Sequence, residues 1–173
     1  MGGEDLQLSS AEQASYDAAV KAATPNENHH MLAKMAGEWS FTTKWWASPD
    51  SSPRESTGTS TFTVVHGGRF VQQHMQATVL GQPYEGRGLV GYDNNKSKYV
   101  SVWTDTLQTS LVHGEGDRDD ANMSLTLASP EGSHRPTKTV LKWIDDNHHV
   151  LEAYECGPDG QEFKSTEVSY VRN

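Results

Sequence analysis

The sequence predicts a mostly β fold: an antiparallel up-and-down barrel of about ten strands behind one or two short N-terminal helices. Three observations carry this expectation. Gly37-Glu38-Trp39 stands between a short helical stretch and a run that alternates apolar and polar residues. After it, alternating segments recur about every ten residues, separated by turn-forming clusters, the pattern of a meander. Hydrophobic residues make up only 34% of the chain and mean hydropathy is -0.71. That suits a single-layer barrel, whose outer wall faces water, better than a densely filled globule.

The elements follow in order. Residues 1–9 read as disordered. Ser9-Ser10-Ala11-Glu12 offers a helix N-cap, alanines with Tyr16 and Val20 extend the helix to about Ala23, and Thr24-Pro25 stops it. A second short helix is expected near 27–36, with Met31, Leu32 and Met35 at helical spacing. Trp39, Phe41, Thr43 and Trp45 then alternate with Ser40, Thr42 and Lys44, which marks a half-buried strand. Further strands are expected near 57–65, 69–79, 84–92, 98–106, 109–116, 121–129, 137–144, 148–156 and 161–172. Their separators include His66-Gly67-Gly68, Gly81-Gln82-Pro83, Asp93-Asn94-Asn95-Lys96, Asp117-Arg118-Asp119-Asp120, Pro130-Glu131-Gly132, Asp145-Asp146-Asn147 and Gly157-Pro158-Asp159-Gly160. Gly, Asn and Asp in such clusters accept the positive φ of tight hairpins. A meander of short strands hides its edges most cheaply by closing. The organisation expected is a tail and helix over 1–26 and one barrel domain over 27–173.

Composition narrows the partners. The chain of 173 residues carries 23 acids against 14 bases, a formal net charge of -9. That balance weighs against nucleic acid and against a membrane surface. No apolar window approaches the length of a membrane-spanning helix. The opening MGGEDLQLSS lacks the basic start and apolar stretch of a secretory signal, and Leu6 stands where a myristoylation motif needs Ser or Thr. Cys156 is the single cysteine, so no internal disulfide framework exists. A cytoplasmic location is the resulting expectation.

Several segments, in order and at similar spacing, carry a family resemblance. They are Leu32 to Trp39, Gly67-Gly68-Arg69-Phe70-Val71-Gln72, Gly81 to Asp93, Lys98 to Asp105, Tyr154-Glu155 and Gly157 to Lys164. Over roughly residues 27–172 the chain resembles a bacterial family catalogued only as a domain of unknown function, number 1579. The resemblance implies a calycin-type, lipocalin-like barrel in which the Trp of Gly-x-Trp plugs the floor. It implies no established activity, substrate or cofactor. The nitrobindin-type haem-binding barrels share the Leu-x-x-x-x-Gly-x-Trp opening and hold haem through a histidine near the chain end. The last strand here, Phe163 to Arg172, contains no His, so no haem and no other cofactor is expected.

Common chemical motifs fail on context. Gly86-Arg87-Gly88-Leu89-Val90-Gly91 spells G-x-G-x-x-G, but Tyr92-Asp93-Asn94-Asn95 follows as a turn into another strand. A dinucleotide site needs a helix to begin there. The glycines read instead as relief of crowding where a strand bends. Eight histidines occur without a His-Glu-x-x-His or Cys-x-x-Cys pattern, and His148-His149 must face opposite ways on a strand. Solvated or loop histidines, and no metal, are expected. Cys156 before its Gly-Pro-Asp-Gly turn reads as a half-buried, inert thiol, and no Gly-x-Ser-x-Gly is present.

The interior is the remaining place for function. If Trp39 points inward, so does Phe41; the apolar face of the third strand, with Met75, carries Gln73 inward; Trp103 and Asp105 share one face of the fifth; Trp143 lies on the inner face of the eighth. Two strands are ambiguous. Residues 84–92 present either Glu85, Arg87 and Leu89 or mostly glycines, and residues 148–156 present either Glu152 and Tyr154 or Leu151 and Ala153. With the polar choices, Trp39, Phe41, Gln73, Met75, Glu85, Arg87, Trp103, Asp105, Trp143, Glu152 and Tyr154 line one ligand cavity, with Arg87 beside an acid. Three functions are compatible: a binding protein for a small, partly apolar molecule, which ranks first; an enzyme using Asp105 or Glu152 as general acid or base; and a ligand-free interaction module working through the N-terminal helix.

Overall fold

A computed structural model describes residues 8–130 and 136–173. The expected disorder of residues 1–7 and the turn residues Glu131-Gly132 lie outside these. Helix α1, Ser10–Ala23, begins with a capping box: the Ser9 hydroxyl accepts from the Glu12 amide, and the Glu12 carboxylate accepts from the Ser9 amide. None of its residues is buried. Its end is tethered where the Asn94 side chain donates to the carbonyls of Ala22 and Thr24. Helix α2, Glu27–Ala33, is capped by Asn26 and buries His29 and Leu32. It is shorter than the expected 27–36, because the chain must turn before Gly37.

Ten strands follow: β1 Gly37–Trp45, β2 Arg54–Val65, β3 Phe70–Val79, β4 Gln82–Asp93, β5 Lys98–Asp105, β6 Val112–Asp119, β7 Ser124–Ala128, β8 Lys138–Asp145, β9 His148–Cys156 and β10 Glu162–Arg172. Each pairs antiparallel with its sequence neighbour, and β1 also pairs with β10, so the sheet is a closed barrel. Closure leaves no free edge. Strand starts shift most from the sequence reading at β2, β6 and β7, which begin at Arg54, Val112 and Ser124 instead of 57, 109 and 121. β6 continues to Asp119 through the expected turn at 117–120, because Asp117, Arg118 and Asp119 pair with Thr126, Leu125 and Ser124 of β7. The turn comes later, where the Asp119 carboxylate accepts from the amides of Ala121 and Asn122. β2 begins at Arg54 rather than 57, in register with Trp45.

The Gly37 end is closed. Trp39 is 2% exposed, and its indole Nε1 donates to the Met35 carbonyl at 2.9 Å. Leu32 and Met35 seal it from the helical side, while Phe62, Tyr170 and His149 pack around it within the barrel. Arg172, the last residue of β10, lies over the Trp39 ring at 4.2 Å and donates to the carbonyls of Lys34 and Ala36. The guanidinium thus caps the helical segment and fastens it to the floor. Gly37 sits at φ 135, and a Cβ there would stand 2.7 Å from the guanidinium. The Gly of Gly-x-Trp is required by that backbone and by that neighbour.

Candidate functional site in the barrel interior

The inner faces of β3, β4 and β5 form one wall. Register places Gln73, Gly88 and Trp103 in one row, and Met75, Gly86 and Asp105 in the next. On β4 the inner face is Tyr84, Gly86, Gly88 and Val90, with Tyr84 and Val90 against the core. A Cβ at Gly86 would lie 2.2 Å from the Trp103 ring, and one at Gly88 would lie 2.6 Å from it. The two glycines are therefore a seat on which the indole rests flat against the wall. A side chain at either position would push the ring into the lumen. Phe41 rests on Gly58 of β2 in the same way, at 2.5 Å from the Cβ that Gly58 lacks.

Trp103 and Asp105 are held together. The indole Nε1 donates to Asp105 Oδ2 at 2.9 Å, the Gln108 side chain donates to the same oxygen at 3.1 Å, and the Leu107 amide donates to Oδ1 at 2.8 Å. Burial first, and the Asp105 carboxylate second, raise the Tyr84 hydroxyl well above its usual range. Deeper in, Gln73 donates to Ser60 Oγ and to the Tyr170 hydroxyl, both at 3.0 Å. Inward-facing Thr43, Gln73, Ser101, Trp103, Leu141 and Leu151 are only half-buried, although strands surround them on every side. At the floor, by contrast, Trp39, Phe41, Phe62 and Tyr170 are 2%, 4%, 6% and 2% exposed.

Of the residues expected to line a cavity, Trp39, Phe41, Gln73, Met75, Trp103, Asp105 and Trp143 face inward, but not all at one place. Trp39 and Phe41 belong to the sealed floor, and Trp143 is in register with His149 beside it. Four face out, and the polar choice is wrong on both ambiguous strands. Glu85 and Arg87 lie on the outer wall, where Glu85 accepts from the Arg87 guanidinium and pairs with His74 at 2.9 Å. The inner face of β4 goes to glycine because Trp103 occupies that space. Glu152 and Tyr154 also lie outside, since Leu151 takes the inner face in register with Leu141 and Val168. Glu152 is nonetheless 8% exposed, covered by Lys142 at 2.8 Å, Lys164 at 3.5 Å and the Tyr154 hydroxyl at 2.8 Å. Burial acts to raise its pKa, and these partners outweigh it, leaving the carboxylate lowered.

Cys156, expected to be half-buried, is exposed, and His149, expected among solvated or loop histidines, is instead a core side chain. It is 1% exposed, stacks on Tyr170 at 4.4 Å and meets Trp39 edge-on at 4.4 Å, and neither ring nitrogen has a hydrogen-bond partner. Burial, helped by nearby Arg172, depresses its pKa to about 4. Alternation with Leu151 was the available signal. His148, facing the other way, is exposed and bonds to Asp145 at 2.9 Å.

Elsewhere, a hollow of about 830 Å³ touches the wall of β5, β6 and β7, and its rim lysines Lys96 and Lys98 are paired with Glu115 and Asp117. Among the described residues, no three His, Cys, Asp or Glu side chains group as a metal site. Among them, too, no helix is long and apolar enough to cross a membrane.

The family model described as "Protein of unknown function (DUF1579)" matches residues 24–172. The chain belongs to that family. No curated protein matches this DUF1579 chain. Among solved structures it is similar in fold to Rv2717c from M. tuberculosis, at a TM-score of 0.60 and 13% identity, covering 87% of this chain and 99% of that one. A de novo designed fluorescence-activating β-barrel aligns at a TM-score of 0.47 and 13% identity, covering 82% of this chain and 96% of that one.

Proposed function

We propose that this DUF1579 barrel is a binding protein that holds one small, partly apolar molecule against the β3–β5 wall, in contact with Trp103, Asp105, Gln73 and Met75. The observation that carries the reading is the glycine seat. Gly86 and Gly88 draw the largest side chain on that wall back from the lumen, and the inward side chains around it stay half-buried where a filled core would seal them. A flat aromatic surface beside a fixed carboxylate is how a lined cavity orients a ligand. The half-buried Leu141 and the Leu151 side chain of β9, five strands from β4 around the ring in either direction, supply apolar surface for the far side.

Catalysis is the second reading and now rests on Asp105 alone, since Glu152 faces outward in an ion network. Binding ranks above it because the donors around Asp105 are the protein's own groups. The acidic net charge of -9 supports a small-molecule partner over nucleic acid, and the lone cysteine supports a reducing, cytoplasmic setting. Native mass spectrometry of freshly purified protein tests the reading. A co-purifying molecule of one-to-one stoichiometry is expected, lost in Trp103→Ala and kept in Arg87→Gln. Equal retention by Trp103→Ala counts against it.

A further inference from the structure

The geometry points to an organic cation, an ammonium or amidinium group on an apolar body, as the ligand class of this lumen. The inference rests on the binding reading above. The expected internal partner of Asp105, Arg87, is on the outer wall with Glu85. Among the described residues Asp105 is in no ion pair; its three bonds come from an indole, an amide side chain and a backbone amide, all neutral donors. They fix the position of the carboxylate and leave its charge uncompensated. Inner-face cations elsewhere among the described residues are engaged or remote: Arg118 is paired with Asp120, and Arg172 is bound to carbonyls at the closed end. Arg54 is exposed at the start of β2, opposite Trp45.

A partly buried carboxylate that meets only neutral donors is a ready partner for a ligand that brings a positive charge. The Trp103 face beside it favours the same charge, because the ring quadrupole attracts a cation lying over it. Flat seating on Gly86 and Gly88 turns that face toward the lumen. The excess of acids over bases, 23 against 14, adds attraction for a cation approaching from solution.

The test compares three probes with one ten-carbon tail, below their micellar concentrations: decyltrimethylammonium, decyl sulfate and decanol. Binding to the full chain is followed by calorimetry and tryptophan fluorescence. The cation is expected to bind at least about ten-fold more tightly than the other two, the gain of ion pairing with Asp105 and of a cation over the Trp103 face. Added salt should weaken its binding and leave that of decanol unchanged. Asp105→Asn should remove the cation's advantage and leave decanol binding intact, with circular dichroism reporting the fold. Should that variant not fold, the wild-type charge series and its salt dependence decide. Tighter or equal binding of decyl sulfate or decanol, or an unchanged cation affinity in Asp105→Asn, overturns the cation inference while the lumen site stands. Binding of none of the three overturns both.

Discussion

His149 illustrates how one residue ties the floor to pH. Its folded pKa is depressed from 6.5 to about 4, chiefly by burial. Between those values the unfolded chain takes up a proton that the folded chain refuses, so stability is full above about 6.5 and falls as pH drops toward 4. The shift corresponds to about 3 kcal/mol lost across that window. His149→Phe keeps the stack on Tyr170 and removes the titration. Urea unfolding at pH 7 and pH 4 should show the wild type losing about 3 kcal/mol more than the variant. Equal losses would mean that the ring finds a proton acceptor or water on the floor. The sequence carried the alternation that places His149 inside, but not the reason to prefer it. An isolated His-His pair looks polar, and only the surrounding Trp39, Phe62 and Tyr170 make the second ring a core side chain.

At the scale of elements, strand β4 shows where sequence reasoning succeeds and where it fails. Its partners were legible in the alternation, but its start was not: Gln82 and Pro83, expected in the turn, pair with Val79 and Thr78, and the chain turns at Leu80-Gly81. Its facing was not legible either, because a pattern of apolar against polar cannot recognise that Gly86 and Gly88 are the inner residues when their space is filled by Trp103 from the next strand. The same limit applied to β9, where a charged Glu152 is buried from outside by Lys142 and Lys164. Two outcomes follow at this scale. Gly86→Ala should displace the indole and destabilise the barrel by about 1–3 kcal/mol, the usual cost of overpacking. Thermal melts and near-ultraviolet circular dichroism check it, and an unchanged tryptophan spectrum would sink the idea of a glycine seat. Replacing Arg87 by Gln, by contrast, breaks only an exposed pair with Glu85 and should leave both the spectrum and any probe binding as in the wild type. At the floor, Gly37→Ala meets both an unfavourable φ of 135 and the Arg172 guanidinium. A loss of about 1–3 kcal/mol is expected from strain of that kind, read by urea unfolding; a neutral effect would show that the motif's glycine is dispensable.

Across the whole molecule, one end is fastened and the wall above it is half-open in its packing. The floor joins α2, β1, β9 and β10 through Trp39, His149, Tyr170 and Arg172. The wall of β3, β4 and β5 holds the carboxylate and the indole face that the proposed ligand would meet. The barrel and its strand order were legible because period-two patterning and hairpin turns are local signals. The site was legible only in part, since it depends on which neighbour fills which space. The five tryptophans divide between the floor, this wall and the β1–β2 loop, and each carries one indole N–H signal. The most direct measurement is therefore a titration of nitrogen-15-labelled protein with decyltrimethylammonium, following the indole resonances. The expected result is a saturable shift that is largest at Trp103, whose N–H is bonded to Asp105, with Trp39, bonded to Met35 under the helix, unmoved. A silent Trp103, or a shift confined to Trp45 and Trp46 near the β1–β2 loop, would contradict it.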